Sequence, residues 1–479
     1  MDVNKIPIAL TYDDVLIIPQ RSSLISRGEA DTSTWLTKQI SLSAPIISSN
    51  MDTVTESEMA ITMARLGGIG ILHRFMTIED NVEEVKRVKR AQNFVIYDPY
   101  TINPSRTLSE ARAEIAEKKI SGLLVSNGDG KLLGVLSKRD ILFAEGEHLL
   151  VRDMMTPREK LIVGDISTNL SEAKRLLAQH RIEKLPLVDA NNKIVGLITS
   201  CDIKNVNDYP YANIDKKGRL IVGGSIGVHG DYLERAKALI TAGADVLVVD
   251  IAHGHSELML NAVRNLREQF SDVQIIAGNV ASGKGARELC EAGVDGIKVG
   301  VGPGTICITR LVTGCGVPQF TAVAECAKVA KEYGVPVIAD GGIQKSGDIV
   351  KAIGAGADTV MLGGMLAGTK ESPGVVMSRA GKKFKVCRGS ASFAVAQRRQ
   401  TVNQEAKKLG DVVPEGVEAV VPFKGPVGDI VNQLVGGLRS GMSYTNSRTI
   451  GELQNNAEFV RITNAGLKES GTHDLLDVK

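Results

Sequence analysis

The chain is 479 residues long, 43% hydrophobic and 23% charged, with a formal net charge of +2. That length suits two domains and the apolar fraction supports a large core. The scattered, nearly balanced charge speaks against a nucleic-acid footprint or a polybasic membrane anchor.

Six cysteines, at 201, 290, 307, 315, 326 and 387, show no CxxC pairing, and of seven histidines only His253 and His255 stand together. Neither a disulfide framework nor a structural zinc site is expected. The opening MDVNKIPIALTYDD lacks the basic and apolar regions of a signal peptide, and no apolar run reaches membrane-spanning length. The expected location is cytoplasmic, in a reducing compartment.

In chain order, APIISSNM (44–51) and GIGILH (68–73) read as strands, and KRVKRAQ (86–92) as a solvated helix face. The rhythm then breaks into an internal repeat. LSEARAEIAEKKISGLLV (108–125) recurs as LSEAKRLLAQHRIEKLPLV (170–188), and KLLGVLSKRDI (131–141) as KIVGLITSCDI (193–203). Ser109 and Ser171, like Asp140 and Asp202, are 62 positions apart. The repeat therefore predicts two homologous α/β units, about 92–146 and 150–207, inserted into a domain formed by 1–91 and 208–479.

From about 217 a second unit recurs: a β-branched run, a Gly/Asp/Asn-rich turn and an Ala-rich amphipathic stretch. The runs are DVLVVDIAH (245–253), VQIIAGNVAS (273–282), GIKVGVGPG (296–304), VPVIADGGI (335–343) and TVMLGGMLAG (359–368). Strands alternating with helices imply a parallel sheet, and runs apolar throughout imply cover on both faces. With the two N-terminal strands, the fold class is α/β, a (β/α)8 TIM barrel rather than the open doubly wound sheet that the alternation also permits. Chemistry in such barrels sits at the C-terminal strand ends, where every polar or Gly-rich cluster above falls. ADGG (339–342) and LGG (362–364) suit a phosphate held by backbone N–H groups.

GVGPGTICITR (300–310) places Cys307 at the end of a Gly-rich loop. Such a loop lets backbone approach a ligand closely, and its N–H groups favour a thiolate. A small buried thiol filling a turn is the other reading. Cys201, Cys290, Cys315 and Cys326 sit in apolar or helical surroundings and read as packing residues, with Cys387 intermediate.

The tandem insert resembles a pair of CBS motifs (a Bateman module), with the Ser/Thr-x-x-Asp signature at Ser137/Asp140 and Thr199/Asp202. That resemblance implies ATP- or GTP-type effectors; a passive lid or assembly contact is the plainer alternative. The flanks, from LTYDDVLIIPQ to GLKESGTHD, resemble the inosine-monophosphate dehydrogenase / guanosine-monophosphate reductase family. The motifs are SSNMDTVTE (48–56), GGIGILHR (67–74), VVDIAHGHS (248–256), LAGTKESPG (366–374), VPEGVE (413–418) and GGLRSGMSY (436–444). Ile308 departs from the Thr or Ser common in the family's cysteine loop.

The resemblance implies a purine nucleoside monophosphate attacked at C2 by Cys307, with Thr309 and Glu415 as proton relay. It implies substrate contacts at Ser48, Met51, Thr305, Asp340, Gly342, Gly363, Gly364, Gly389 and Ser390. Asp250, Asn279, Gly300 and Gly302 would face the nicotinamide. A monovalent cation, K+, would take Gly302, Gly304 and Cys307, with Glu469, Ser470 and Gly471 from a neighbouring subunit. Tetramers, or pairs of them as octamers, are the implied assembly, without nucleic acid or membrane.

Two reactions share this framework. The dehydrogenase oxidises IMP with NAD and hydrolyses the adduct with water activated by an Arg-Tyr pair on a flap. The reductase expels ammonia from GMP and takes hydride from NADPH. The flap expected at 388–412 carries Arg398 and Arg399 but no tyrosine, Cys387 replaces the family's usual phosphate-contacting Tyr, and Gly363–Gly364 resembles the reductase. The insert and tail look more like dehydrogenases. The missing tyrosine weighs toward GMP reductase, with IMP dehydrogenase the alternative. A catalytically dead nucleotide sensor is a third reading, prompted by Ile308, Ser390 and the altered flap.

Overall fold

The computed structural model describes residues 5–91, 95–142, 144, 148–403 and 413–472, apart from the side chains of 202, 205–207 and 399–403. Two compact units emerge: Met1–Ala91 with Tyr211–Asp215 and Leu220–Lys479, and Gln92–Pro210 with Lys216–Arg219.

The larger unit is a closed barrel of eight parallel strands. They are β1 (Ile46–Ser48), β2 (Ile69–Leu72), β3 (Gly223–Ile226), β4 (Val246–Asp250), β5 (Gln274–Val280), β6 (Gly296–Val299), β7 (Val337–Asp340) and β8 (Thr359–Leu362). β8 pairs with β1, and β2 with β3, which closes the ring. Helices follow in alternation: α1 (Ser57–Arg65), α2 (Ile78–Ala91), α3 (Tyr232–Ala242), α4 (Glu257–Gln269), α5 (Gly283–Glu291), α6 (Gln319–Glu332), α7 (Ser346–Gly354) and α8 (Val427–Tyr444). The fold is the expected (β/α)8 barrel.

Strand parity divides the core. Ile47, Val246, Val248, Ile276, Ile338 and Met361 pack together inside the ring, and Leu36 and Leu42, beside the hairpin Thr34–Trp35/Ser41–Leu42, join that cluster. The alternate residues Ile46, Leu247, Val249, Ile275, Val360 and Leu362 belong to the outer core shared with the helices. Each such side chain contributes about 1.5–3 kcal/mol on burial. The solvated face expected at 86–92 is only partly so: on α2, Val88 and Lys89 are buried, and Lys89 Nζ reaches Asp245 at 2.6 Å and Asp215 at 3.1 Å. Burying that ammonium requires the paired carboxylates.

The smaller unit has two halves of like design. Helix Leu108–Glu117 precedes strands Gly122–Val125 and Gly134–Ser137; helix Leu170–His180 precedes Lys184–Val188 and Ile194–Thr199. The halves meet at an antiparallel bridge between Lys131 and Lys193, residues that are themselves 62 apart. Leu132 N donates to Asn192 O at 3.0 Å and Ile194 N to Gly130 O at 2.8 Å, the same bond seen from each half. Here the sequence repeat becomes a local two-fold axis. Asp140 Oδ2 accepts from both the N and Oγ of Ser137, each at 2.7 Å, and caps helix Lys138–Ile141. Thr199 ends its strand just before helix Ser200–Asp208, and the Asp202 side chain lies outside the described residues.

Candidate active site

Parity also decides which side chains enter the barrel mouth. Two residues beyond inward-facing Val248 and Ile338 come Asp250 and Asp340, at the C-terminal ends of β4 and β7; β6 follows the same rule with Lys298. Lys298 Nζ lies 2.7 Å from Asp250 Oδ1 and 2.7 Å from Asp340 Oδ2, and its third donor goes to Asn279 Oδ1. Asn279 Nδ2 donates to Asp340 Oδ2 at 3.0 Å and to Gly300 O at 2.7 Å; Asn50 Nδ2 donates to Asp250 Oδ2 at 2.8 Å. Asn279 follows a register shift in β5 between Gly278 and Val280, the sort of irregularity that re-aims a side chain. Burial works against charge here, yet the opposite charges prevail. The Asp250 carboxyl is held below its usual range, chiefly by Lys298 against desolvation, and the Lys298 ammonium is held above its own by Asp250 and Asp340.

After β6 the chain forms the thiol loop. Cys307 Sγ is 3.2 Å from Thr309 Oγ1, and Cys307 N donates to Gly304 O at 3.1 Å. Ile308 N donates to Glu415 O at 2.8 Å, Val417 N to Ile306 O at 3.0 Å, and Cys307 pairs antiparallel with Gly416. This short ladder brings Glu415, more than a hundred positions away, beside the thiol. The segment bearing it belongs to an antiparallel sheet, Met377–Arg379, Lys382–Arg388 and Glu418–Pro422, between β8 and α8.

One cavity of ≈280 Å³ gathers Cys307, Thr309, Glu415, Met51, Asp340, Gly389, Ser390, Asp250, Asn279, Gly300, Gly302 and Gly304, all expected from sequence. That size approaches the range of small-molecule sites. Thr305, Gly342, Gly363 and Gly364 lie outside its lining. Three of them still cluster at its edge: a β-carbon on Gly364 would stand 2.8 Å from Thr305 Oγ1, and one on Gly363 3.0 Å from Met51 Sδ and 3.1 Å from Ser49 Oγ. A β-carbon on Gly342 would meet Tyr12, Gln319 and the lining residue Pro303 at 3.4–3.5 Å.

The expectation at Ser48 moves by one residue. Ser48 points outward and accepts from Thr55 Oγ1 at 2.9 Å, whereas Ser49 lines the cavity. Ser49 Oγ is buried without a hydrogen-bond partner among the described residues, which sets it apart from most buried hydroxyls. Ser49, Asn50, Arg74 and Lys298 complete the lining and were not singled out from sequence. Ser49, Asn50 and Arg74 lie within the motifs SSNMDTVTE and GGIGILHR, and for Lys298 the signal was a lone lysine inside the apolar run GIKV.

The remaining expectations fall elsewhere. Arg398 does not line the cavity; its Nη1 reaches Asp52 Oδ2 at 3.1 Å, the same oxygen that Arg388 Nη1 meets at 3.2 Å. The Arg399 side chain and residues 404–412 of the expected flap lie outside the described residues. Glu469, Ser470 and Gly471 are exposed around the end of helix Asn464–Glu469 and do not line the cavity. The thiol loop alone offers three of the six expected cation contacts, and Arg310 packs against it, Nε donating to Val301 O at 3.2 Å. Cys290, Cys326 and Cys387 are buried as packing thiols, but Cys201 and Cys315 are exposed. Burial pushes the Cys290 thiol up to about 11 and Cys326 to about 12. Among the described residues no cluster of His, Cys, Asp and Glu could hold a metal ion, and no helix is long and apolar enough to cross a membrane.

A thiol, a hydroxyl and three carboxylates gathered at the C-terminal mouth of a (β/α)8 barrel are the arrangement of a barrel enzyme's active site. Residues 9–473 match the IMP dehydrogenase / GMP reductase domain model. The chain is 51% identical over 471 residues to the inosine-5'-monophosphate dehydrogenase of Nitrosopumilus maritimus, covering 98% of each. It is also 51% identical over 483 residues to a GMP reductase of Leishmania major, again covering 98% of each. A cysteine-to-alanine variant of GMP reductase from Trypanosoma brucei, solved with guanosine 5'-monophosphate, superimposes with a TM-score of 0.94 at 49% identity and 99% coverage of both chains. The chain belongs to the IMP dehydrogenase / GMP reductase family, purine-nucleotide oxidoreductases that use nicotinamide cofactors.

Proposed function

We propose that this protein is a GMP reductase, converting GMP, NADPH and two protons to IMP, ammonium and NADP+. One observation carries the choice over IMP dehydrogenase. The flap has no tyrosine, and Arg398, one of its two arginines, is bound to Asp52 away from the cavity. The dehydrogenase reading keeps the insert and tail noted above and the equal 51% identity to an enzyme of that name.

In this reading Cys307 Sγ adds to C2 of GMP. Thr309 and Glu415 deliver protons to the 2-amino group as the C2–N bond breaks, help typically worth about 10²–10⁴ in rate. NADPH supplies hydride to C2 when bound. Release of the C2–S bond then gives IMP and regenerates the thiol. Asp340 accepts from the ribose hydroxyls, and Asp250 and Asn279 face the nicotinamide side. Ser49, Thr305 and the backbone at Gly342, Gly363 and Gly364 hold the phosphate, supported by the orphaned Ser49 hydroxyl at that edge.

K+ would take the carbonyls of Gly302, Gly304 and Cys307, with Glu469, Ser470 and Gly471 from a second copy in a tetramer or octamer. The repeated insert is a CBS pair that binds ATP- or GTP-type effectors at Ser137/Asp140 and Thr199/Asp202. The test supplies GMP with NADPH and, separately, IMP with NAD. NADPH consumption with ammonium release supports the reductase; steady NADH production from IMP assigns the dehydrogenase; no turnover with either pair leaves a nucleotide sensor.

A further inference from the structure

Lys298 is the least expected residue of the mouth: an ammonium only 2% exposed on a central strand of apolar neighbours. Its three N–H donors are matched by three acceptors, on Asp250, Asp340 and Asn279. It has no donor left for a ligand and acts only through its partners. Its two carboxylate partners stand on β4 and β7, two strands to one side of β6 and one to the other, and Asn279 stands on β5 between β4 and β6. Among the described residues Asp340 Oδ1 has no protein hydrogen bond, so this carboxylate keeps an oxygen for a ligand while Lys298 and Asn279 fix the other.

We propose that Lys298 is a positioning residue that holds Asp250 and Asp340 side by side as hydrogen-bond acceptors and thereby couples the dinucleotide and mononucleotide halves of the site. This rests on the reading that Asp250 serves the nicotinamide side and Asp340 the ribose of the mononucleotide. Two half-buried carboxylates without the shared cation would repel each other in a poorly solvated mouth. With it, a shift of either carboxylate moves the ammonium and so the other. The charged groups facing Asp250 are Lys298 from β6, Arg74 from the loop after β2 and, across the ammonium, Asp340 from β7; Cys307 and Glu415 share the cavity. Lys298 is the largest of the favourable influences on Asp250, and burial opposes it.

The test measures GMP and NADP+ affinity by calorimetry at pH 8 and pH 6 for the wild-type protein, Lys298→Met, Lys298→Arg, Asp250→Asn and the Lys298→Met/Asp250→Asn pair. Wild-type GMP affinity should vary little between the two pH values. Lys298→Met should weaken both ligands about tenfold or more at pH 8, in the range of coupling between sites. It should weaken them further at pH 6, because without the cation Asp250 takes up a proton as the pH falls. Lys298→Arg should restore most of the affinity. Asp250→Asn should weaken GMP as well as NADP+ in the wild-type background, but add nothing to the GMP loss in Lys298→Met. The proposal is overturned by a Lys298→Met loss equal at both pH values, as general loosening would give. It is also overturned if Asp250→Asn leaves GMP affinity unchanged, a readout that stands even where Lys298→Met fails to fold. A wild-type protein that binds neither GMP nor IMP removes the functional reading itself.

Discussion

Cys307 Sγ and Thr309 Oγ1 stand 3.2 Å apart, on the loop and at the start of the short helix Thr309–Thr313 that follows it. The thiol is half-buried and the hydroxyl is within reach of the same proton. Cys307→Ala should abolish turnover yet leave GMP binding near the wild-type level by calorimetry. Thr309→Ala should lower kcat by about 10²–10⁴ with little change in KM, since the hydroxyl serves proton transfer rather than binding. A large rise in KM with kcat preserved would remove Thr309 from the relay.

Gly300 carries φ of +150°, and a β-carbon there would lie 2.1 Å from Asp340 O. No side chain fits without displacing the strand end that presents Asp340. Gly300→Ala should destabilise the barrel by about 1–3 kcal/mol or more, seen as a lower Tm, and raise the KM for GMP. An alanine variant with wild-type Tm and KM would show that the loop tolerates the contact.

Asp52 is 5% exposed, and one of its oxygens serves both Arg388 and Arg398. Arg398 belongs to helix Phe393–Asn403, so this carboxylate fastens the flap to the loop after β1. Asp52→Ala removes the carboxylate that both guanidinium groups share, although Arg388 keeps Glu418 Oε2 at 3.3 Å, and should speed limited proteolysis within 388–403 several-fold. Arg398→Ala should do so more weakly, because Arg388 keeps its bond. Equal cleavage rates in all three proteins would show that the fastening contributes nothing.

Much of this was legible in the residues, for identifiable reasons. Seven of the eight strands announce themselves as β-branched runs; β3, GGSI, does not, because two glycines and a serine carry little strand preference. Its glycines answer to tertiary crowding: a β-carbon on Gly223 would come 2.4 Å from Ile71 Cδ1. The choice between Ser48 and Ser49 depends on which parity faces inward, and a two-serine strand end does not reveal that. Lys298 was hidden because a lysine in a buried strand makes sense only once both of its carboxylates are placed. Glu415 and Cys307 were both read from motifs, but the ladder joining them exists only in three dimensions.

Asp358 offers a pH test away from the chemistry. Burial pushes its carboxyl from 3.8 up to about 6, against hydrogen bonds from Val337 N and Gln454 Nε2. A raised folded-state value means that its contribution is fully present below about 4 and lost as pH rises through 6, at a cost of about 3 kcal/mol. The stability of Asp358→Asn relative to the wild-type protein should therefore rise between pH 4 and pH 7, measured by urea unfolding. A difference that stays constant over that window would count against a protonated Asp358.

In the inserted unit, Asp140 holds both polar atoms of Ser137. Asp140→Ala should weaken that cap by about 0.5–2 kcal/mol and reduce or remove the response of activity to added ATP or GTP. Turnover of GMP without effector should stay near the wild-type rate. An unchanged effector response would disconnect this pair from regulation.

The ladder between Ile306–Ile308 and Glu415–Val417 carries one last consequence. The segment bonded to the thiol loop also bears Glu415, so any opening of those two bonds would expose the thiol and remove the carboxyl together. In the proposed reaction an adduct caught by such an opening would wait for its proton donor until the segment is laid down again, so cover and competence would share a single latch.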